Sequence, residues 1–414
     1  MISFHQIIIR LIVILFFIGI VSCEKKQEKA DATTIIECLN CSEEISFSLG
    51  RNDLFEKVEY VQLETTNECL IKEIDFMLIA DTSIFVVDDN SVYRFSKMDG
   101  KFLNKIGGKG PGPGEYIGVK NLFVDSEQNI IFLLDLVQSK RIKYDFDGNY
   151  ISSHKIGRNT NMTNTALYLA GDNILYHNDI SPFSESAYSF YEKSTDSVIE
   201  LLSYGEFKLK KYSLGFSKHP MTYSNNGIHC IMPYDNKIYI FDSKDAHIKA
   251  KYSVEYSGKP TNMRMAVQED PPMFITRQLM ARDNYFPGYT AIFQTANTLV
   301  LNTFNNNAQP AFFYTDIDSL KGSYYSYSLT PDESEPIFEI FNVSENQFIS
   351  KLNSSQLYKW KEHYKDLNKI PDQRLRDIIA NSNDDNNPCL VIYHVQHRDL
   401  ICNLLDDAHH PSLR

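Results

Sequence analysis

Two stretches of this chain repeat one another closely enough to constrain the whole fold. Ile84-Phe-Val-Val-Asp88 is followed by Val92-Tyr-Arg-Phe95 and Asp99-Gly100, while Ile131-Phe-Leu-Leu-Asp135 is followed by Arg141-Ile-Lys-Tyr144 and Asp147-Gly148. The leading aspartates lie 47 residues apart and the Asp-Gly pairs 48. Each copy reads as strand, turn, strand, hairpin, strand, because Asp-Gly between alternating apolar runs signals a hairpin whose two central residues adopt positive φ. Weaker copies follow at Asn173–Tyr176, Lys237–Asp242, Thr298–Leu301 and Ile337–Phe341, the last unit ending in Cys389-Leu-Val-Ile-Tyr393. Such repetition of a four-strand unit marks an all-β chain, a six-bladed β-propeller. Radial repetition leaves only short strand edges open, which restrains edge-to-edge aggregation. The early strand Val58–Leu63 lacks a blade of its own and is expected to pair with the last unit, fastening the chain ends together. A two-sheet sandwich is the competing architecture, and the repeated Asp-Gly units weigh against it.

Composition agrees with strands. There are 26 Phe and 25 Tyr against one Trp, and aromatic side chains suit half-buried pleated surfaces. Two segments break the rhythm. Pro271-Pro272 opens a short helix or lid from Met273 to Arg282, ahead of the aromatics Tyr285, Phe286 and Tyr289. Ser354 to Ala380, with Leu357, Trp360, Tyr364, Leu367 and Ile370 near helical spacing, is expected to be helical and broken at Pro371.

The amino terminus has its own signature. Arg10 precedes the apolar run Leu11–Ile18, and small residues follow; a positive region, a short apolar core and small residues mark a secretory signal. Ile20-Val21-Ser22-Cys23 resembles a bacterial lipobox, which implies a lipid on Cys23 and cleavage before it. Glu24 after the cysteine favours the outer membrane, at the periplasmic face or the cell surface. The expected organisation is a signal at 1–22, a polar tether at 23–50, a propeller at 51–403 and a tail at 404–414.

Gly107-Gly-Lys-Gly-Pro-Gly-Pro-Gly-Glu-Tyr116, the Asp-Gly hairpins and Asp385-Asn-Asn-Pro388 before a hydrophobic strand resemble the six-bladed β-propeller lipoproteins of Bacteroidetes-type bacteria. Those proteins are in turn similar to NHL-repeat propellers. The resemblance implies a fold and little chemistry, since a fold does not choose a function.

Few residues suggest catalysis. The glycine-rich stretch lacks the Gly-Lys-Ser/Thr of a phosphate loop, and Pro111 and Pro113 remove two backbone donors. It reads as a tight blade-to-blade connection, with Glu115 and Tyr116 as candidates to face the central channel. Cys38 and Cys41 form a C-x-x-C without the second pair that zinc requires or the βαβ setting of a redox motif. With Cys23 lipidated, six cysteines remain and their pairing is open. The acidic pairs Asp88-Asp89, Asp384-Asp385 and Asp406-Asp407 read as solvated turns. No metal site, catalytic residue or cofactor is expected. The formal net charge of −12 and the lack of a nucleic-acid-type basic cluster weigh against nucleic acid. The favoured function is a non-catalytic binding module for a glycan, peptide or protein partner, with Glu115, Tyr116 and Tyr285 as candidate ligand residues. An axial lyase or hydrolase is the alternative.

Overall fold

The computed structural model describes residues 36–42, 54–156, 163–169, 173–179, 184–204, 219–224, 227–232, 235–256, 288–304, 309–317, 321–331 and 336–395. They build a six-bladed β-propeller with two short helices near the C-terminal end. Blade 1 comprises Phe76–Ala80, Ser83–Asp88, Ser91–Ser96 and Phe102–Lys105, from inner to outer strand. Blade 2 comprises Val119–Asp125, Ile130–Asp135, Lys140–Asp145 and Tyr150–Lys155, and blade 3 Thr163–Tyr168, Ile174–Asn178, Ser186–Glu192 and Ser197–Ser203. Blade 4 runs through Met221–Ser224, Gly227–Ile231, Lys237–Phe241 and Ile248–Tyr256, and blade 5 through Ala291–Gln294, Thr298–Phe304, Pro310–Asp316 and Lys321–Ser326.

Blade 6 takes three strands from the end of the chain, Ile340–Ser344, Gln347–Leu352 and Cys389–Val395. Its outer strand is Phe55–Gln62, antiparallel to Cys389–Val395 with Val58 opposite Tyr393. The expected closure therefore holds. A hydrogen bond crosses every seam of the ring. Arg94 Nη1 donates to Phe146 O at 3.0 Å, Asn121 Nδ2 to Ala166 O, and Tyr188 OH to Ile231 O at 2.6 Å. Ile292 N donates to His219 O at 2.9 Å, Asn302 Nδ2 to Ile340 O at 2.6 Å and Asn342 Nδ2 to Met77 O at 2.5 Å.

The apolar core divides in the same way. Alternation along each strand sends one set of side chains to the preceding blade and the other to the next. In blade 1, Ile84, Val86 and Phe95 pack toward blade 6, while Phe85, Val87 and Val92 pack toward blade 2. Six buried clusters result, one per seam. Burying a side chain of this size contributes about 1.5–3 kcal/mol, so each seam is held mainly by such packing.

The inner strands carry no hairpin punctuation in the sequence, and the repeat pattern registers only the outer three strands of each blade. The Asp-Gly turns also differ from expectation. Only Gly100 (φ 70°) and Gly148 (φ 87°) take positive φ, not the preceding aspartates. Each turn is longer than two residues and sits beside a register shift in its hairpin. Glycine is required twice over there: a Cβ at Gly100 would strike the Gln62 carbonyl oxygen, and one at Gly148 the Lys105 carbonyl oxygen. Each turn thus lies against the outer strand of the preceding blade.

Ile36–Ser42, inside the segment expected to be a polar tether, forms a strand. It runs parallel to Ile248–Tyr256 and to Lys321–Ser326, joining blades 4 and 5 into one nine-stranded sheet. Cys38 and Cys41 belong to that strand. Cys69, Cys230 and Cys389 are free and buried, each in a different seam. Burial pushes the Cys389 thiol up to about 12. Cys402 lies outside the described residues.

Candidate binding face

Successive strands of a blade are antiparallel, so its links alternate between the two ends of the sheet. Links from inner to second strand and from third to outer strand share one face, and none exceeds six residues. The opposite face carries the blade-to-blade crossings and the links from second to third strand. Crossings span 106–118, 204–220 and 257–290, among others, and in blade 6 the second-to-third link runs from 353 to 388. Every long insertion therefore leaves from this crossing face.

Blades 1 and 4 oppose each other across the axis, yet a ring beside the inner strand of one approaches a ring on the inner strand of the other. His219, just before the blade 4 inner strand, has its ring 6.5 Å from that of Phe76, the first residue of the blade 1 inner strand. The same imidazole lies 5.2 Å from Phe293 in blade 5 and 6.5 Å from Phe341 in blade 6. Rings from four blades thus gather at the crossing-face end of the inner strands. Phe76, His219 and Phe341 are only partly buried, so they form a floor with an apolar, aromatic character.

Glu115 and Tyr116 are both tied into the blade 1 to blade 2 crossing. Glu115 folds back on its own loop, its Oε2 accepting from Gly112 N at 2.9 Å. Tyr116 is 2% exposed. Its hydroxyl donates to Ile106 O at 2.7 Å and accepts from Val92 N, and burial pushes its pKa up to about 12. Gly107 (φ 62°) has no room for a Cβ because the Tyr144 ring covers it, and Tyr144 donates to Gly114 O. The glycines thus let a compact loop lie on Tyr144. Cys23 and Tyr285 lie outside the described residues, as do Met273–Arg282, Phe286 and Asp406-Asp407. Tyr289 is fully buried against Phe313 in the seam of blades 4 and 5.

Several carboxylates serve the backbone rather than the solvent. Asp88, expected in a solvated turn, is 7% exposed and accepts from Lys72 N and Glu73 N in the preceding crossing. Asp135 does the same for Ile117 N and Gly118 N. A strand-end carboxylate is well placed to satisfy N–H groups that irregular backbone leaves orphaned. Asp89 is exposed at positive φ and pairs with Lys109. Asn387 is fully buried. Its Nδ2 donates to Glu64 O and Cys69 O, both at 2.6 Å, and its Oδ1 accepts from Ile71 N at 2.7 Å. It clamps the crossing from blade 6 to blade 1, a role its place in Asp385-Asn-Asn-Pro388 did not reveal.

Two buried imidazoles escape any sequence signal. His177 sits on the second strand of blade 3 beside Tyr188, with neither ring nitrogen hydrogen-bonded among the described residues. Burial lowers its pKa to about 3. Asp179, 4.0 Å away, is raised to about 6 by burial. His229 in blade 4 is lowered to about 4 by the same cause. His394 bonds Glu59 on the closure strand at 3.0 Å. Among the described residues, no three His, Cys, Asp or Glu side chains gather as a metal site, and no helix is long and apolar enough to cross a membrane.

Residues 33–394 match the family described as Domain of unknown function (DUF4934). The chain belongs to that family. Its fold is shared by the crystal structure of a Bacteroides fragilis protein described as exported (BF0058), with 18% identity, a TM-score of 0.66, and coverage of 87% of this chain and 100% of that one. A member of the duf4221 family from Bacteroides vulgatus matches at 11% identity and a TM-score of 0.49, over 83% of this chain and 97% of that one. No curated protein matches the chain. The family membership and the likeness to the Bacteroides fragilis protein agree with the six-bladed architecture.

Proposed function

We propose that this DUF4934 chain is an exported, membrane-tethered and non-catalytic propeller whose crossing face binds a glycan, peptide or protein. One observation carries the binding reading: rings from four blades gather at the end of the inner strands from which the long links leave. An axial active site would require convergent polar or metal-binding groups around the axis. Here the axis presents Phe76, Phe341 and His219, a surface suited to stacking on a ligand. Export and the lipid on Cys23 rest on the signal-like segment and lipobox, and the Bacteroides fragilis protein described as exported is consistent with them.

The binding test blocks one face at a time. A bulky biotin–avidin adduct at Val137→Cys covers the crossing face, and one at Met98→Cys covers the turn face; both native side chains are well exposed. On glycan and peptide arrays, the Val137 adduct is expected to abolish binding and the Met98 adduct to preserve it. Equal binding by both adducts would refute the assignment, and turnover of an arrayed compound would replace it with the enzymatic alternative. For the tether, Cys23→Ala is expected to release the protein into the soluble fraction. Continued membrane retention would exclude lipidation.

A further inference from the structure

The strand Ile36–Ser42 belongs to neither of the blades it joins. It lies between the outer strands of blades 4 and 5 and runs parallel to both. On one side Ile36 to Cys41 stand opposite Lys251 to Tyr256, and on the other Asn40 to Ser42 stand opposite Lys321 to Ser323. The ladder from the third strand of blade 4 ends at Ser253, opposite Lys237. Among the described residues, Val254, Glu255 and Tyr256 therefore have strand partners only on the added strand, at Leu39, Asn40 and Cys41. The later half of that strand is the part that clasps the two rims together.

The same stretch is bracketed by two cysteines, Cys38-Leu-Asn-Cys41. An extended strand advances about 3.3 Å per residue, so the Cα atoms of Cys38 and Cys41 stand about 10 Å apart. A disulfide needs its Cα atoms about 4.4–6.8 Å apart. The paired strand is thus a conformation in which these two thiols cannot be joined to each other. Closing that bond folds the four residues into a turn. The turn withdraws them from four of the six register pairs with blade 4 and from two of the three with blade 5. Strand pairing and the local disulfide exclude one another. The other described cysteines take no part, since Cys69, Cys230 and Cys389 are free and buried in three other seams.

From this exclusion we infer that Cys38-Leu-Asn-Cys41 is a redox clasp: as a dithiol it fastens blades 4 and 5 at the rim, and as a disulfide it lets go. The step is thiol–disulfide exchange. One cysteine, as its thiolate, attacks a sulfur of a disulfide oxidant and expels one thiol of that oxidant. The second cysteine attacks the mixed disulfide, forms the Cys38–Cys41 bond and expels the other thiol. Two electrons and two protons pass to the oxidant, and a dithiol reductant reverses the exchange. Compartments outside the cytoplasm keep such oxidants, so the clasp is sensitive where an exported chain resides. Closeness in sequence favours this pair over a distant partner, because closure entropy grows with loop length. The pair has no βαβ setting for passing electrons between proteins, and its effect falls on its own strand. Release bares the outer edges of both blades, which become open to pairing with another strand. The seam beneath stays packed through Ile238, Ile292, Leu301 and Phe313 and through the bond from Ile292 N to His219 O. The clasp therefore opens without opening the ring.

The test uses the full chain with its lipid-bearing N-terminus replaced by a soluble leader. Oxidised glutathione or dithiothreitol sets the thiol state, mass spectrometry maps the disulfides, and amide exchange is read at Val254–Tyr256, with Ile131–Leu134 of blade 2 as the internal reference. Under oxidised glutathione, wild type is expected to form the Cys38–Cys41 disulfide and to exchange Val254–Tyr256 at least about tenfold faster, with blade 2 unchanged. Dithiothreitol is expected to restore the slow exchange. Cys38→Ser/Cys41→Ser is expected to stay slow in both conditions, and Cys38→Ala/Cys41→Ala covers the case in which serine itself loosens the strand. Cys402→Ser is expected to behave as wild type. A pair that stays reduced, is trapped as a mixed disulfide with glutathione, or bonds to Cys402 overturns the inference. So does a Cys38–Cys41 disulfide that leaves Val254–Tyr256 slow, or an oxidant response that persists in both double variants. None of these outcomes touches the binding-face reading, because no ligand enters the measurement.

Discussion

The two faces of the disc are built by different rules. On the turn face, short links are decided by local backbone geometry, as at Gly100 and Gly148, where a glycine fits against a neighbouring carbonyl. On the crossing face, long links are held by side chains recruited from far away in sequence: Asp88 and Asp135 at strand ends, Tyr116 beneath its loop, Asn387 across the first crossing. One face is thus fixed by the conformation of single residues and the other by buried polar contacts. A face held by side chains can vary its backbone without losing the blades beneath it.

That contrast can be broken most severely at Asn387. Asn387→Ala removes the donor for Glu64 O and Cys69 O and the acceptor for Ile71 N, leaving buried groups unpaired. The expected loss is about 4 kcal/mol, measured by urea unfolding; a loss below about 1 kcal/mol would mean that the crossing holds itself. On the turn face, Gly148→Ala combines an unfavourable φ with a backbone collision, for a loss of about 3 kcal/mol. An ordinary stability would show that the turn has slack.

A smaller effect sharpens the comparison through pH. The folded-state pKa of His177 lies near 3 and that of His229 near 4, both below the unfolded value. Their contribution to stability is whole above about pH 6.5 and is lost as pH falls toward those folded values, at about 1.4 kcal/mol per pH unit for each. Asp179, raised to about 6, works in the other direction and gains stability as pH falls through that value. Hydrogen exchange at pH 7 and pH 5 is expected to show the two seams that hold these imidazoles, blades 3 and 4 for His177 and blades 4 and 5 for His229, loosening before the rest, and His177→Phe is expected to flatten the acid slope. Uniform acid loosening of all six seams would remove His177 from this account.

The outer three strands of most blades were legible because polar turns and alternating apolar residues punctuate them. The inner strands were not. Phe76–Ala80 and Ala291–Gln294 pack toward both neighbouring blades, so no apolar–polar alternation survives. The last unit shows the same effect: an expected strand at Ile337–Phe341 begins at Ile340, since Ile337 and Phe338 belong to the crossing. Asp88 looked solvated because aspartate favours turns, and only the third dimension supplies the amides of Lys72 and Glu73. The axial rings were equally hidden, as Phe76, His219 and Phe341 become neighbours only once the ring closes. The break at Pro371, between helices Ser354–His363 and Gln373–Asn381, was readable because helical periodicity is local.

The closure strand has a consequence for the life of the chain before it is folded. Glu59 and His394 meet across 335 residues, a separation whose closure entropy is about 5 kcal/mol. Blade 6 cannot be completed until the last of its strands has emerged from whatever machinery makes or moves the polypeptide. Until then Phe55–Gln62 is an early-made edge waiting for a late-made partner. The ring therefore stays open until Cys389–Val395 has been made, and only then can it shut.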